Sequence, residues 1–522
     1  MIATVYDGQQ ANHKIQLLQS LKKLTTLTAK QWLEYNDLLL FMVSHPENEI
    51  HEQAIQGAIR AFNQKINNST EAVRDNLRDS GILHTQIVTR FTHDLLSWLI
   101  TDNDCKVVLD SFDKKGTELN ELLRLTLPTI EHEETMAGKS NEELFETLGV
   151  KPAKRLEFLL DEFNHFNEHG LLKDHLWDAM KVYVSIYLKN VESTKSGNRF
   201  LNAPIFYQSQ IIKKFDHHAL LSQPLPTPTK LDNKKQEALI KCIRRSLLLT
   251  IRETDPTTYL HEASLRYYEL ERGVAIAIYG MPASRQLALQ SYIGYTLFKN
   301  GFPVAYGGSW IFGRAALFGI NIFDPYRGGE SGMLMCQLLR VYRMAFGVDY
   351  FEVEPYQYGK DNPDGIQSGA FWFYHRFGFQ PVDKELNILA HKESEKIKSK
   401  KGYRSSEQVL DRFTESNIAL HLSGNKPIRI NDIAPKITAM ISKRFHASRV
   451  QAMKECSAIL KQKLGTAQRF NEEEKIAFKE IALLAEYLNI NDTKQLDLCL
   501  QLIRTKPNNP YLYNELLKKL IG

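Results

Sequence analysis

Apolar residues recur every three to four positions through most of the first 222 residues of the chain. Because positions i, i+3, i+4 and i+7 form one face of a helix, this spacing predicts a series of amphipathic helices. Ser140 and Glu143 have the spacing of a capping box ahead of one apolar run, and Gly149 stands where that helix would end. The pattern therefore predicts an all-helical domain over residues 1–222.

Prolines interrupt the pattern directly after this region. The segment QPLPTPTK, from Gln223 to Lys230, contains three prolines. Because proline lacks the backbone N–H that a helix needs, we predict an extended linker over residues 223–230.

The pattern changes in the central region, where short apolar and aromatic runs alternate with glycines. Of the 28 glycines, 16 lie between Gly273 and Phe379, a distribution typical of strands and tight turns. The predicted elements include a strand over 270–281, a helix over 285–301, a hairpin around Gly313 and Arg314, a helix over 333–347 and a strand over 348–356. Together they predict an α/β domain over residues 231–395.

Helical spacing returns in the C-terminal region. Runs such as RINDIAPKITAMISKRF and NEEEKIAFKEIALLAEYL again place apolar residues on one helical face. We therefore predict an α+β, multidomain protein in which a central α/β domain is flanked by an N-terminal and a C-terminal all-α region, the latter over residues 396–522.

Composition narrows the class of protein. The chain has 522 residues, of which 43% are hydrophobic and 24% charged, and its net charge is +5, so disordered and fibrous classes and a general nucleic-acid coat are excluded. The five cysteines form no Cys-x-x-Cys pair, so we expect neither a disulfide framework nor a metal site. No run of about 20 unbroken apolar residues occurs, so we expect a cytoplasmic protein with no membrane partner.

A glycine-rich segment precedes the predicted helix over 333–347. It is Arg327-Gly328-Gly329-Glu330-Ser331-Gly332. A turn of this kind leaves backbone N–H groups at a helix N-terminus free to bind phosphate. The segment lacks the lysine of a Walker A loop and does not have the Gly-x-Gly-x-x-Gly or Gly-x-Ser-x-Gly spacing of a dinucleotide loop or a nucleophile elbow.

The segment resembles instead the pyrophosphate loop of the GNAT acyltransferases, [Gln/Arg]-x-x-Gly-x-[Gly/Ala], at its first and sixth positions. Residues 367–379 resemble the second signature of that family, Asn-x-x-Ala-x-x-x-Tyr-x-x-x-Gly-Phe, through Ala370, Tyr374, Gly378 and Phe379. The resemblance covers about residues 235–395. It implies a mixed sheet that opens between its fourth and fifth strands.

The resemblance also implies acyl-CoA as a co-substrate. The pyrophosphate would bind backbone N–H groups of Arg327 through Gly332, and the pantetheine arm would pair with the strand end that contains Ile322 and Phe323. Tyr374 would be the general acid that protonates the leaving thiolate.

Two residues depart from the pattern of the family. Gln367 stands in place of the usual asparagine of the second signature, and Glu330 stands in place of the middle glycine of the loop. The Glu330 carboxylate would lie beside the expected anion, where repulsion is stronger in a partly dry pocket than in water. Glu330 therefore favours a donor other than ordinary acetyl-CoA.

Three carboxylates are candidates for the general base that takes a proton from the amine. Glu352 and Glu354 alternate with apolar residues on the predicted strand over 348–356, so both should face the same side of the sheet. Asp324 stands at the end of the preceding strand. The sequence does not decide among the three.

The function that we predict is N-acyl transfer from an acyl-CoA, or another acyl thioester, to an amine. One alternative is a transferase of the same fold that takes an acyl or aminoacyl group from tRNA or from a carrier protein; no other nucleic-acid partner is expected. A second alternative is a protein that has lost catalysis and binds a protein partner through its helical flanks. That alternative predicts a closed gap between the fourth and fifth strands.

Overall fold

The structure is a computed structural model that describes residues 5–6, 10–24, 27–424, 426–465 and 467–522. It has an α+β fold, with 55% of the residues in helices and 13% in strands. The chain forms two compact units: the first contains Met1–Ile211, Leu231–Glu253 and Lys299–Pro303, and the second contains Ile212–Lys230, Thr254–Phe298 and Val304–Gly522. This division differs from the boundaries predicted from composition.

The first half of the chain is mostly helical. In chain order its elements are α1 (Gln10–Leu21), α2 (Ala29–Ser44), α3 (Glu49–Asn67), α4 (Glu71–Asn76), β1 (Gln86–Thr89), α5 (His93–Leu99), β2 (Cys105–Phe112), α6 (Leu119–Thr126), α7 (Thr129–Glu131), α8 (Asn141–Thr147), α9 (Arg155–Phe163), α10 (Gly170–Met180), β3 (Val182–Leu188), α11 (His217–Ser222), α12 (Asn233–Leu248) and α13 (Asp255–Thr258). The capping box of Ser140 and Glu143 is confirmed at the start of α8, and Gly149 follows this helix with a φ of +66°.

The first unit is not all-helical, and the prediction for residues 1–222 is wrong in this respect. β1, β3 and β2 form an antiparallel sheet in which β3 lies in the middle. The sequence VYVSIYL of β3 alternates β-branched and aromatic residues, and Lys181, with a left-handed φ of +49°, ends α10 directly before it. A short apolar run of this kind suits either a helix or a strand, so its pairing with β1 and β2 decides the outcome.

The predicted linker over 223–230 contains neither helix nor strand. It is nevertheless bonded to the rest of the second unit. Arg340 donates from Nε to the carbonyl oxygen of Gln223 over 3.1 Å and from Nη2 to that of Pro224 over 2.6 Å. The N–H of Thr229 donates to the carbonyl oxygen of Tyr267 over 2.8 Å. This segment is therefore an ordered part of the second unit.

The second half of the chain combines a sheet with helices. Its elements are β4 (Arg266–Glu269), β5 (Val274–Tyr279), β6 (Ser291–Lys299), β7 (Phe302–Phe312), β8 (Ala315–Phe318), β9 (Asn321–Ile322), α14 (Ser331–Phe346), β10 (Tyr350–Val353), α15 (Pro363–Ser368), α16 (Ala370–Arg376), β11 (Gln380–Pro381), α17 (Lys384–Ser399), α18 (Glu407–Phe413), β12 (Ile418–His421), α19 (Ile430–Phe445), α20 (Arg449–Leu464), α21 (Glu472–Tyr487), α22 (Thr493–Thr505) and α23 (Pro510–Ile521).

The strands of the second unit form one mixed sheet, in the order β11-β12-β10-β8-β7-β6-β5-β4, with β9 also paired to β7. β7 and β8 form the predicted hairpin, and Gly313 in its turn has a φ of +59°. β8 and β10 are parallel and are connected by α14, whereas β12 is antiparallel to β10. The mixed sheet that was expected from the sequence is thus present.

Residues 285–301 do not form the predicted helix. A short helical turn ends at Arg285, and β6 begins at Ser291. Tyr292 of β6 stacks on Trp310 of β7 with ring centroids 4.3 Å apart. A Cβ on Gly294 would lie 2.6 Å from the ring of Tyr279 on β5, so a larger residue would not fit between these strands. Cross-strand packing, which local apolar spacing does not reveal, therefore makes this segment a strand.

The C-terminal region is mostly helical but not all-α. Helices α19 to α23 share a core that includes Ile441, Leu460, Ile481 and Leu502. β12 joins the sheet instead, where it is antiparallel to both β10 and β11. Four residues are too few to show a period, which is why the sequence pattern misses this strand.

Candidate active site

β8 and β10 run side by side, and their pairing stops at one end. Their parallel register ends with the pair Glu352 and Leu317. Beyond Leu317 the chain passes through Gly319 and Ile320, and β9 then pairs with β7 on the other side. We call the region beyond this last pair, where β8 and β10 are no longer paired, the gap.

Tyr374, the predicted general acid, lies at this gap. It belongs to α16 and is only 2% exposed, and its hydroxyl lies beside the backbone of Ile320. Burial raises the pKa of Tyr374 well above its ordinary value, so the hydroxyl keeps its proton at neutral pH. The predicted acid and the backbone after the end of β8 are thus neighbours.

The bend between β8 and β9 has a buried tyrosine on one side and a glutamine on the other. The hydroxyl of Tyr295 lies 3.0 Å from the carbonyl oxygen of Gly319 and 2.8 Å from that of Tyr306. A Cβ on Gly319 would lie 3.0 Å from Nε2 of Gln357, which follows β10 in the turn Pro355–Tyr358. The Gln357 side chain therefore occupies the gap beside Gly319.

The loop over 327–332 leaves backbone N–H groups available at the start of α14. Gly328 has a φ of +78°, which favours glycine. The N–H groups of Gly328, Gly329, Ser331 and Gly332 donate to no other residue in the described part of the chain. Because α14 is 16 residues long and its dipole is positive at this end, the arrangement suits an anion.

Glu330 does not face outward from this loop. Its side chain is fully buried, and Oε1 lies 3.1 Å from Nη2 of Arg272. The same oxygen accepts a hydrogen bond from the backbone N–H of Ile212 over 3.0 Å. The expectation that the Glu330 carboxylate lies beside a bound anion is therefore wrong, because an ion pair and a hydrogen bond hold it on the inner side of the loop.

The other residues predicted at the donor site lie at the surface or at the edge of β9. Asp324 and Arg327 pair with each other over 2.8 Å, with 77% and 62% of their side chains exposed. Arg327 also donates from Nε to the carbonyl oxygen of Ile322 over 3.1 Å, and Phe323 stacks on an aromatic ring of β7. Gln367 is exposed on α15. Asp324 belongs to a turn after the strand, so the structure does not bring it to the cavity that the other candidate bases line.

A cavity of about 320 Å³ lies along β8 and β10. It lies on the face of the sheet opposite α14, because Leu317 lines the cavity whereas Phe318, the next residue of β8, contacts Tyr342 of that helix. Glu352 and Glu354 both line the cavity and thus face the same side of the sheet.

The two carboxylates differ in their surroundings. Glu352 is 7% exposed, lies 3.1 Å from Nη1 of Arg429, and accepts a hydrogen bond from Nδ2 of Asn417 over 2.6 Å. Burial and the charge of Glu352 raise the pKa of the neighbouring Tyr350 to about 12. Glu354 is exposed and has no ion pair or side-chain hydrogen bond with a described residue. Glu354 is therefore the carboxylate that is left free to take a proton.

Sequence reasoning missed Arg429, Asn417 and Trp310, which also line the cavity. Asn417 and Arg429 follow Glu352 by 65 and 77 residues. They reach the cavity because β12 pairs with β10 and α19 begins close by. Only the pairing of the short run Ile418–His421 could have pointed to them, and no local pattern marks it.

Within residues 5–6, 10–24, 27–424, 426–465 and 467–522, no three His, Cys, Asp or Glu side chains are grouped so that they could hold a metal ion. Over the same residues, no helix is both long enough and apolar enough to cross a membrane.

No protein-family model, no curated protein and no solved structure matches this chain. The function proposed for this chain therefore rests on the two motifs and on the geometry around β8 and β10.

Proposed function

We propose that the second unit is an N-acyltransferase that moves an acyl group from an acyl-CoA, or another acyl thioester, to an amine. One observation supports the proposal above the others: the pairing of β8 and β10 ends just before Ile320, and the buried Tyr374 hydroxyl lies beside the backbone of Ile320 there. The unused N–H groups at the start of α14 support it, since they suit the pyrophosphate of CoA.

The proposed reaction is a direct transfer. The amine nitrogen attacks the carbonyl carbon of the thioester, so that a C–N bond forms and the C–S bond breaks. The Ile320 N–H, once Tyr374 moves away from it, stabilises the negative charge that develops on the carbonyl oxygen. Glu354 takes the proton that the amine loses, and Tyr374 gives its proton to the leaving thiolate and regains one through solvent.

Donor binding requires the Gln357 side chain to move, because it occupies the gap beside Gly319. We therefore expect Gln357→Ala to strengthen the binding of CoA. The matched control is Gln495→Ala, which shortens an exposed glutamine on α22, far along the chain from the gap.

Thermal unfolding with and without CoA tests the proposal. A ligand at 100 times its dissociation constant stabilises the folded state by about 2.7 kcal/mol. Millimolar CoA or acyl-CoA should raise the Tm of the wild-type protein and of Gln495→Ala, and it should raise that of Gln357→Ala further. No shift in any of the three proteins would refute the proposal.

A second candidate is a protein without catalysis that uses this fold to bind a partner. The Gln357 side chain in the gap is the observation that favours it, since the gap is then closed to a donor. This candidate predicts that CoA does not bind even when Gln357 is shortened. A donor carried by tRNA or by a carrier protein stays a prediction, and an acyl-carrier protein in the same titration tests it.

A further inference from the structure

The cavity along β8 and β10 is lined by both apolar and charged side chains. With a volume of about 320 Å³ it lies at the small end of the range for ligand pockets. Its walls include the apolar side chains of Phe312, Leu317 and Ile430 as well as the carboxylates of Glu352 and Glu354. A ligand that fits it is small and carries both a hydrocarbon part and a polar end.

The charges around the cavity favour a cation. Arg429 is occupied by two carboxylates, since it lies 3.1 Å from Glu352 and 3.3 Å from Asp432. Glu352 and Asp432 therefore already neutralise Arg429, whereas Glu354 in the cavity wall has no ion pair with a described residue. A carboxylate on the ligand would have to compete with Glu352 and Asp432 for Arg429, whereas an ammonium group would meet the free charge of Glu354.

The ring of Trp310 in the cavity wall also favours a cation. Trp310 lines the cavity and is held by Tyr292, whose ring is stacked on it at an angle of 8°. The face of an indole ring attracts a cation, more so than the rings of tyrosine or phenylalanine. A cavity whose walls include both an indole ring and an unpaired carboxylate is a suitable environment for an organic ammonium ion.

We propose that this cavity binds a small organic amine as its ammonium ion, with an aryl or alkyl body and without a carboxylate group. In the acyltransferase this amine would be the acceptor after the ammonium ion has given one proton to solvent and regained its lone pair, and that part of the inference depends on the function proposed above. Binding of the ammonium ion itself does not depend on it, because the cavity and its charges are present without a donor.

Isothermal titration of the full-length protein, with no acyl donor present, tests the binding. The probes are phenethylamine, phenylalanine and 3-phenylpropionate, which share a ring and differ in charge. Phenethylamine should bind at least about ten-fold more tightly than phenylalanine, and 3-phenylpropionate should not bind. Failure of phenethylamine to bind, or equal binding of the anion, would overturn the inference.

Two variants locate the binding site. Glu354→Gln removes an exposed charge, so we expect an unchanged Tm and a loss of about ten-fold in phenethylamine affinity. Glu473→Gln makes the same change on an exposed residue of α21 and should bind as the wild type does. Trp310→Leu should also weaken binding. Unchanged affinity in Glu354→Gln would refute the site.

The proposal and the acyltransferase function can fail separately. If phenethylamine binds as expected but no acyl-CoA is consumed, the function is wrong and the cavity assignment stands. If acyl transfer to phenethylamine occurs and neither Glu354→Gln nor Trp310→Leu weakens its binding, the function stands and the assignment to this cavity is wrong.

Discussion

The role of Tyr374 can be tested by removing its hydroxyl group alone. Tyr374→Phe keeps the ring in place, but it removes a buried hydroxyl that lies beside the backbone of Ile320, which is itself only 8% exposed. A buried polar group that loses its polar neighbour costs about 1–3 kcal/mol of stability. We therefore expect a measurable fall in stability even if Tyr374 has no catalytic role, and stability alone cannot decide the question.

The rate of acyl transfer separates the two roles. A hydroxyl that protonates the leaving thiolate acts in the transition state, so its loss should lower kcat by about 10²–10⁴-fold. The KM for the donor and for the amine should change little, because the ring and the cavity are unaffected. The measurement is the release of the free CoA thiol, with the acyl-CoA and amine that give the highest wild-type rate.

Tyr358 provides a matched control for Tyr374. It is also a buried tyrosine, 1% exposed, but its hydroxyl donates to the carbonyl oxygen of Ser416. Tyr358→Phe should therefore lose a similar amount of stability in urea unfolding and keep its kcat. A normal kcat in Tyr374→Phe, or an equal loss of kcat in both variants, would refute the assignment of Tyr374 as the acid.

Three further predictions concern buried groups of the second unit. Glu330→Gln removes the carboxylate that pairs with Arg272, so urea unfolding should show a loss of about 1–3 kcal/mol, and tighter CoA binding would contradict its inward orientation. Gly332→Ala would place a Cβ 2.3 Å from the ring of Phe377, so Tm should fall, and the double variant with Phe377→Leu should recover part of the loss. Burial lowers the pKa of Lys506 to about 7, so from there to about pH 10.5 the unfolded chain binds a proton that the folded chain does not. Wild-type stability should thus rise with pH across this window, and Lys506→Met should abolish the rise and be more stable than the wild type at pH 6; an unchanged slope would count against a buried Lys506.

The sequence by itself predicts an element correctly when the interactions that form the element join residues close together in the chain. The capping box at Ser140 starts α8 because the two side chains and the backbone N–H groups that they satisfy are three residues apart. The hairpin at Gly313 follows from a residue that tolerates a positive φ between two apolar runs. β3 and β6 were predicted as helices because their apolar spacing fits both periods, and only pairing with distant strands distinguishes them.

The residues of the candidate site also fall into two groups: those that a local motif identifies and those that only tertiary contacts bring together. Tyr374 and the glycines of the loop could be recognised because each belongs to a motif within a dozen residues. The inward orientation of Glu330 depends on Arg272 and Ile212, which are 58 and 118 residues away, and Arg429 reaches Glu352 across 77 residues. The sequence by itself therefore determined which residues carry the candidate chemistry of the loop and of α16. The tertiary structure alone decided which charges are paired and which stay free, because pairing depends on long-range packing that leaves no local pattern.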